Sequence, residues 1–369
     1  MKKNKNTIYA WACDIENYRG EGILGINFLK QLSRISKKKI YVESPNKKIL
    51  IINQKIKIIS NKKKKEINFN FFYNYFYPIY GIIKIYQNCF YYNNICYVNF
   101  LPLWNILLFI FLPKKTIYGP ITGSIYTNDV TNISSFLRKF IVPIFYKISL
   151  QIIKNEKILF STSILKIFNK KSKIKKIFYD YNLINYEKKN FQINKKRDID
   201  FLFYYRKYSA HRSDLQINII KKLADNNFKV YVIGDKFIYK NITNLNIIDR
   251  SRAYKYLYRT KYTINEATNF FSIFCIDAIS CGVKVFYDKR ISRNQKFFPE
   301  KYFKKIDFNK TDLSVSNIKK AVKEYKKNKK KLYLIKLNIL KYMKIIFYII
   351  WLKINKNYLF FHLFHKLLI

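Results

Sequence analysis

Histidine is nearly absent from this chain of 369 residues: His211, His362 and His365 are the only three. The five cysteines, Cys13, Cys89, Cys96, Cys275 and Cys281, form no Cys-x-x-Cys pair. Structural zinc sites are built from such spacings, so none is expected. An odd number of cysteines in apolar surroundings points to free thiols in a reducing compartment rather than a disulfide framework. Acids are scarce as well, with 22 Asp and Glu against 72 Lys and Arg, a formal net charge of +50. Long apolar runs are missing. The longest, residues 106–112 and 345–352, fall well short of the roughly 20 residues that span a bilayer. The apolar stretch after the first lysines is too short for a signal-peptide core, and Asp14 and Glu16 follow at once. A cytoplasmic protein that touches a membrane without crossing it is the expectation. No repeat with a period of about 20–50 residues is visible, which sets solenoids and propellers aside.

What is present is a chain long enough for two domains, 49% hydrophobic, as a globular protein requires. The positive excess is mostly Lys and comes with abundant Asn, Ile, Tyr and Phe. These types share A/T-rich codons, so a genome poor in G+C yields this profile in any protein. The physical consequence holds regardless of its origin: a surface this positive gains about 1 kcal/mol per well-placed Lys or Arg near anionic headgroups. A nucleic-acid partner is not expected, because neither a zinc-finger spacing nor an RNP-like aromatic strand is present.

Short apolar strands alternate with amphipathic helices. Strands are predicted over residues 7–13, 40–42, 49–52, 56–59, 95–98, 116–118 and 157–160. A helix is predicted over 22–35, where Ile23, Ile26, Leu29 and Leu32 follow helical spacing. A second covers 134–152, with a kink or break at Pro143. The polar stretch 184–197 reads as an interdomain linker. Beyond it, strands are predicted over 199–205, 229–233, 247–248, 262–265 and 283–287. Helices are predicted over 213–226, capped by Ser213 or Asp214, over 253–260, and over 271–281, ended by Gly282. Two such halves imply an α/β protein of two doubly wound, Rossmann-like domains facing a cleft, with ligands beyond the carboxyl ends of the strands. The expected division is 1–185, 186–318 and a helical segment 319–369. That last segment either packs on the first domain or lies on a membrane as a basic amphipathic helix.

The segment Asn269-Phe270-Phe271-Ser272-Ile273 leads into Asp277-Ala278-Ile279-Ser280-Cys281-Gly282. It resembles the donor-site motif of retaining GT-B glycosyltransferases, family 4 in particular. In that family two acids stand eight positions apart around Pro-Phe-Gly, the second followed by Ala-x-Ala-x-Gly. By position Asp277 matches the second acid, Phe271 the Phe and Ser272 the Gly, while Asn269 replaces the first acid. The resemblance implies that Asp277 hydrogen-bonds the nucleotide ribose and that position 269 meets the donor sugar. A helix beginning at Phe271 would aim free N–H groups and its dipole at a diphosphate. Taken alone, the segment also reads as an ordinary buried helix ending in glycine.

Three further stretches carry the resemblance. After the strand at 199–205, Arg206 and either His211 or Arg212 match the cations that clamp the donor diphosphate; Arg212 is preferred because it is always charged. Gly234-Asp235 resembles the turn bordering the nucleotide, and Asp249-Arg250 the loop at the base edge. In the first half, Arg19-Gly20-Glu21-Gly22 and Tyr118-Gly119-Pro120 resemble loops that face the acceptor. The resemblance implies transfer of a sugar from a UDP- or GDP-sugar to a glycan or lipid-linked acceptor in cell-surface polysaccharide biosynthesis. It implies no cofactor beyond the donor and no metal, the cations and the helix terminus neutralising the diphosphate. Asp198-Ile199-Asp200, the one Asp-x-Asp pattern weighed, reads as a strand start. A relative of the same fold that binds the nucleotide sugar without turnover is the alternative that Asn269 motivates.

Overall fold

The structure, a computed structural model, describes residues 4–13, 15, 21–61, 71–99, 101–122, 136, 140–156, 158–161, 177–178, 181, 197–205, 214–265, 272–288 and 303–327. Of residues 21, 71–76, 177–178, 214–215 and 324–327 the backbone alone is described.

The first domain is built on β1 (Asn4–Ala12), with α1 (Glu21–Ser36) leading to β2 (Lys39–Glu43). Strand β1 is buried on both faces: Ile8, Ala10 and Ala12 enter one core, Tyr9 and Trp11 the other. A continuous apolar run, rather than an alternating one, is what a covered parallel strand needs. β3 (Lys47–Ile52) and β4 (Lys55–Asn61) follow, then α2 (Phe71–Cys89), β5 (Tyr92–Val98), α3 (Ile106–Phe111) and β6 (Ile117–Tyr118). The sheet order is β4-β3-β2-β1-β5-β6. Strands β2, β1, β5 and β6 run parallel, while β3 and β4 extend the edge as an antiparallel hairpin. Its two-residue turn, Asn53-Gln54, has both φ values positive, at 46° and 68°. That is the primed turn whose twist matches paired strands. α4 (Val142–Ile152) and a two-stranded sheet of β7 (Ile158–Leu159) and β8 (Ile177–Phe178) complete this half.

The second domain has a wholly parallel sheet. Its strands are β9 (Ile199–Tyr205), β10 (Val230–Gly234), β11 (Ile242–Asn244), β12 (Thr260–Ile264), β13 (Lys284–Asp288) and β14 (Phe303–Ile306). Helices α5 (Asp214–Asp225), α6 (Arg250–Arg259), α7 (Ile273–Ser280) and α8 (Thr311–Lys327) join or follow them. The order β11-β10-β9-β12-β13-β14 reverses direction between β9 and β12. This is the doubly wound order, and the reversal point is where such sheets hold ligands. The first sheet reverses between β1 and β5 in the same way.

Differences from the sequence reading are local. The strand expected at 247–248 lies at β11 instead, and α6 starts at Arg250 with Asp249 as its N-cap. Pro143 stands in the first turn of α4, where its missing N–H costs nothing. The expected boundary at residue 318 falls inside α8. Most of the stretch 184–197 lies outside the described residues, but its last residue is fixed to the second domain: the Arg197 guanidinium donates to the carbonyls of Thr260 and Cys281. Asp198 and Asp200 are indeed at a strand start, at the amino edge of β9. Asp198 accepts from Arg259, which holds its carboxyl well below the usual range, and Asp200 accepts from Lys261 at 2.7 Å.

Helix α2 was not visible in the sequence. It carries Pro78, whose carbonyl accepts a 2.9 Å bond from the fully buried Tyr97 hydroxyl. At Gly81 a Cβ would stand 2.3 Å from Trp11 Nε1 and 2.8 Å from the Tyr97 ring, so glycine lets α2 settle onto β1 and β5. Replacing it overfills a packed core. Gly81→Ala is expected to lower unfolding free energy in urea by about 1–3 kcal/mol; an unchanged midpoint would contradict this packing.

Candidate functional site at the carboxyl edge of the second sheet

Residue Gly234 closes β10 with φ of +113°, and a Cβ there would lie 2.2 Å from the Tyr205 carbonyl oxygen. Only glycine fits both the backbone and the space. The next amide, Asp235 N–H, donates to that same carbonyl at 3.0 Å. Gly234 and Asp235 therefore lie against the last residue of β9. The chain leaves β9 there into residues 206–213, which hold Arg206, His211 and Arg212; these lie outside the described residues, as do Asn269 and Phe271. Because β9 pairs with β12, the segments 206–213 and 266–271 leave neighbouring strands at the same edge of the sheet.

Helix α7 follows β12 and starts two residues later than expected. Ser272 is its N-cap, with extended backbone, and its hydroxyl accepts a 3.2 Å bond from Cys275 N–H. A serine cap satisfies one of the orphan amides of a helix start. The amides of Ile273 and Phe274 belong to the first turn and have no partner within the helix. The ring of Phe274 stacks on Tyr204 of β9 at 5.8 Å, fastening the amino end of α7 to the end of β9. Ile273 packs against the hydrophobic cluster of the first domain, so this helix end meets the other half of the molecule. The C-terminus closes with Gly282 at φ +74°, the left-handed stop expected from sequence.

Asp277 is buried in α7, with 5% exposure. Two sequence signals that read as separate are joined here. Arg250 Nε donates to Oδ2 at 2.8 Å and Arg250 Nη2 to Oδ1 at 2.6 Å, a bidentate fork. The Tyr254 hydroxyl, one helical turn after Arg250 on α6, donates to Oδ1 at 2.7 Å. The carboxylate thus receives three donors from α6. A buried carboxylate is tolerated when paired and fully hydrogen-bonded in this way. Asp277 holds α6 to α7, and Arg250 is a positioned cation whose side chain keeps 23% exposure. Tyr254 was missed from the sequence, although its spacing from Arg250 on an amphipathic helix is the signal that marks it. Gln216 was missed too; its Nε2 donates to the carbonyls of Ile264 and Asn265 at 3.3 and 3.4 Å, tying α5 to the end of β12.

On the first domain the outcome is more mixed. Glu21 and Gly22 are the first residues of α1 rather than a free loop, and Gly20 lies outside the described residues. Tyr118 does not face a cleft. Its side chain is buried in the core, 5.9 Å from the Phe109 ring, and burial pushes its phenol well above the ordinary value. Gly119 follows at the carboxyl end of β6, its N–H donating to the Tyr97 carbonyl at 2.8 Å. Asn99, at the carboxyl end of β5 with φ of 66°, lies over Gly25 of α1, where a Cβ would meet its Oδ1 at 1.8 Å. A surface depression of about 680 Å³, lined by Lys221, Lys222, Asp225 and Asp312 among others, involves none of these candidates.

No protein-family model matches the chain, and no curated protein sequence matches it. Solved structures do share its fold. Sucrose-phosphate synthase from Thermosynechococcus elongatus superposes with a TM-score of 0.60 over 98% of this chain and 99% of its own, at 12% identity. HepE from Anabaena, in complex with UDP-glucose, gives 0.52 over 95% and 97%, at 11% identity. A candidate UDP-N-acetylglucosamine 2-epimerase from Listeria monocytogenes gives 0.53 over 94% and 96%, at 9% identity. The fold is therefore the two-domain, Rossmann-like GT-B arrangement, and at these identities the likeness is one of fold.

Removing one partner of a buried charge pair costs about 3–5 kcal/mol. Because Arg250 keeps some solvent, Asp277→Ala should cost about 3 kcal/mol, near the lower bound, and Tyr254→Phe about 1.5–3 kcal/mol. The double variant should be no less stable than Asp277→Ala alone; additive losses in urea melts would contradict the shared carboxylate.

Proposed function

We propose that the protein transfers a sugar from a nucleotide-diphosphate sugar to a hydroxyl of a glycan or lipid-linked glycan, with retention at the anomeric carbon. The observation that carries this reading is the convergence at the carboxyl edge of the second sheet. The amino end of α7 and the Gly234-Asp235 turn meet Tyr204 and Tyr205, the last residues of β9, after which the sequence continues to Arg206 and Arg212. That is the switch point at which doubly wound sheets bind nucleotides.

In the reaction the bond from the anomeric carbon to the diphosphate oxygen breaks, a bond to the acceptor oxygen forms on the same face, and the acceptor hydroxyl's proton passes to the departing diphosphate. Negative charge grows on the departing diphosphate. The first-turn amides of α7 supply preorganised donors for it. Arg206 and Arg212 supply the countercharge that a metal ion provides elsewhere, so the reading includes no metal and no further cofactor. Arg250, locked by Asp277, borders the nucleotide. Asp277 acts through Arg250, as a positioning residue, as well as by any lone pair it offers a ribose hydroxyl. The acceptor is assigned to cell-surface polysaccharide synthesis on the strength of the sequence resemblance.

Asn269 supports a second reading, a nucleotide-sugar-binding protein of the same fold without turnover, since an amide supplies no charge to a developing oxocarbenium ion. The fold is also that of a candidate epimerase, so the product decides between reactions.

Incubation with UDP- and GDP-sugars and a lipid-linked acceptor extract should yield a glycosylated acceptor, unaffected by EDTA. Arg206→Ala and Arg212→Ala should each lower the rate by about 10²–10³-fold, while Lys→Ala changes at 326–331 should leave it unchanged. Binding without turnover on any donor would favour the second reading, and an epimerised nucleotide sugar would contradict transfer.

A further inference from the structure

Helices α2, α3 and α4 cover one face of the first sheet. Their inner residues, among them Ile82, Ile85, Leu108, Phe109, Tyr146 and Leu150, fill a single core cluster. α2 packs against α3, and α3 against α4. With the inner sides committed to the sheet, the outer sides of all three face away from it. Those outer sides are also apolar.

On α2, Ile79, Ile83 and Tyr86 are 44%, 51% and 46% exposed, and at 100° per residue they fall within one narrow stripe. Ile110 and Phe111 are exposed on α3, and Ile144 and Ile148, one turn apart, on α4. Scattered apolar side chains are ordinary on a protein surface, but here three helices that pack side by side each carry exposed large apolar side chains. A biased composition does not account for it. The second domain shares that composition, yet its exposed large hydrophobics among the described residues are only Ile238, Ile247 and Leu313, each in a different element or loop.

Charge identifies the occupant. No Asp or Glu occurs in α2, α3 or α4. Exposed lysines flank the patch instead: Lys114 and Lys115 just after α3, Lys147 on α4 and Lys154 just beyond it. An apolar stripe fringed by cations, with no acid on the three helices and Glu156 two residues beyond Lys154 the nearest acid in the chain after α4, is the pattern of a surface seated at the headgroup–acyl boundary. Lysine stems can lie along the apolar side chains while their ammonium groups reach headgroups. A protein partner of ordinary surface would leave several of these lysines without counterions, whereas an anionic leaflet neutralises all of them.

We propose that the outer face of α2, α3 and α4 is a membrane-docking surface that seats the first domain on an anionic bilayer. This stands whether or not the chain transfers a sugar, because it uses none of the residues assigned to the nucleotide. It also differs from the sequence expectation, in which residues 319–369 either pack on the first domain or lie on a membrane.

The test is flotation of the full chain with vesicles of phosphatidylcholine alone and of phosphatidylcholine mixed with phosphatidylglycerol. The chain should float with the anionic vesicles and bind them less tightly as salt rises. Each substitution removes an apolar side chain from the buried face, so the triple variant Ile83→Ser, Ile110→Ser and Ile148→Ser should weaken partitioning by well over tenfold, a factor that corresponds to about 1.4 kcal/mol. A wild-type chain that ignores anionic vesicles would overturn the proposal. So would a triple variant that binds as well as wild type, since another part of the chain would then hold the lipid. A wild-type dimer in sedimentation that the triple variant splits would overturn it as well, making the patch a self-interface. If the triple variant fails to fold, Phe111→Trp decides. Its added emission should be quenched by acyl-brominated lipid, and unquenched emission on bound vesicles would overturn the proposal.

Discussion

The candidate site in this molecule depends on one carboxylate. Asp277 is buried inside a helix, where an unpaired negative charge would be prohibitive, and it is tolerated because Arg250 and Tyr254 meet it with three donors. The consequence is geometric. Helices α6 and α7 follow different strands, β11 and β12, and the ion pair fixes one against the other. With α7 held, its amino end stays against Tyr204, its cap is set by Ser272, and Ile273 reaches the core of the first domain. The same contact that stabilises the second domain therefore holds a helix terminus against the first.

The two edges of the second sheet divide labour. At the amino edge, Asp198 and Asp200 are consumed by Arg259, Lys229 and Lys261, and Arg197 ties the incoming chain to the carbonyls of Thr260 and Cys281. These contacts are structural. At the carboxyl edge, Gly234 is pressed against the Tyr205 carbonyl, and the first-turn amides of α7 have no partner within the helix. Open amides and close backbone approach suit an anionic ligand, which is why the proposed chemistry belongs to this edge and not the other. The first domain contributes a different kind of surface, an apolar and acid-free outer layer on three helices. Under the two proposals taken together, a water-borne donor meets a membrane-borne acceptor.

Much of this was legible in the sequence where one local rule decides the outcome. From Phe201 to Phe203 β9 is covered on both faces, and after Asp200 it reads as an apolar run to Tyr205, so its bounds were plain. α5 has an amphipathic period with a polar start, and α7 ends at a glycine whose positive φ confirms the stop. The failures came where tertiary contacts override local signals. Pro78 and Gly81 disguise α2, because both are helix breakers in isolation; here the glycine is needed for contact with Trp11 and the proline carbonyl accepts from Tyr97. Tyr118 was read as the end of a strand leading into an acceptor-side loop with Gly119 and Pro120; the strand is there, but the sheet register turns its ring into the core. The partner of Asp277 could not be read from spacing, since Arg250 stands 27 residues away and reaches it only once the sheet has folded. Ser272 stood where the resembled motif has glycine, and its capping bond moves the helix start to Ile273.

Hydrogen exchange with and without UDP tests the central claim most directly. A nucleotide diphosphate held at the amino end of α7 should slow exchange at the amides of Ile273 and Phe274 and across residues 206–213, while α8 and the amino edge of β9 stay as they were. Saturating UDP that leaves those amides unprotected, or that protects a different part of the molecule, would contradict the account.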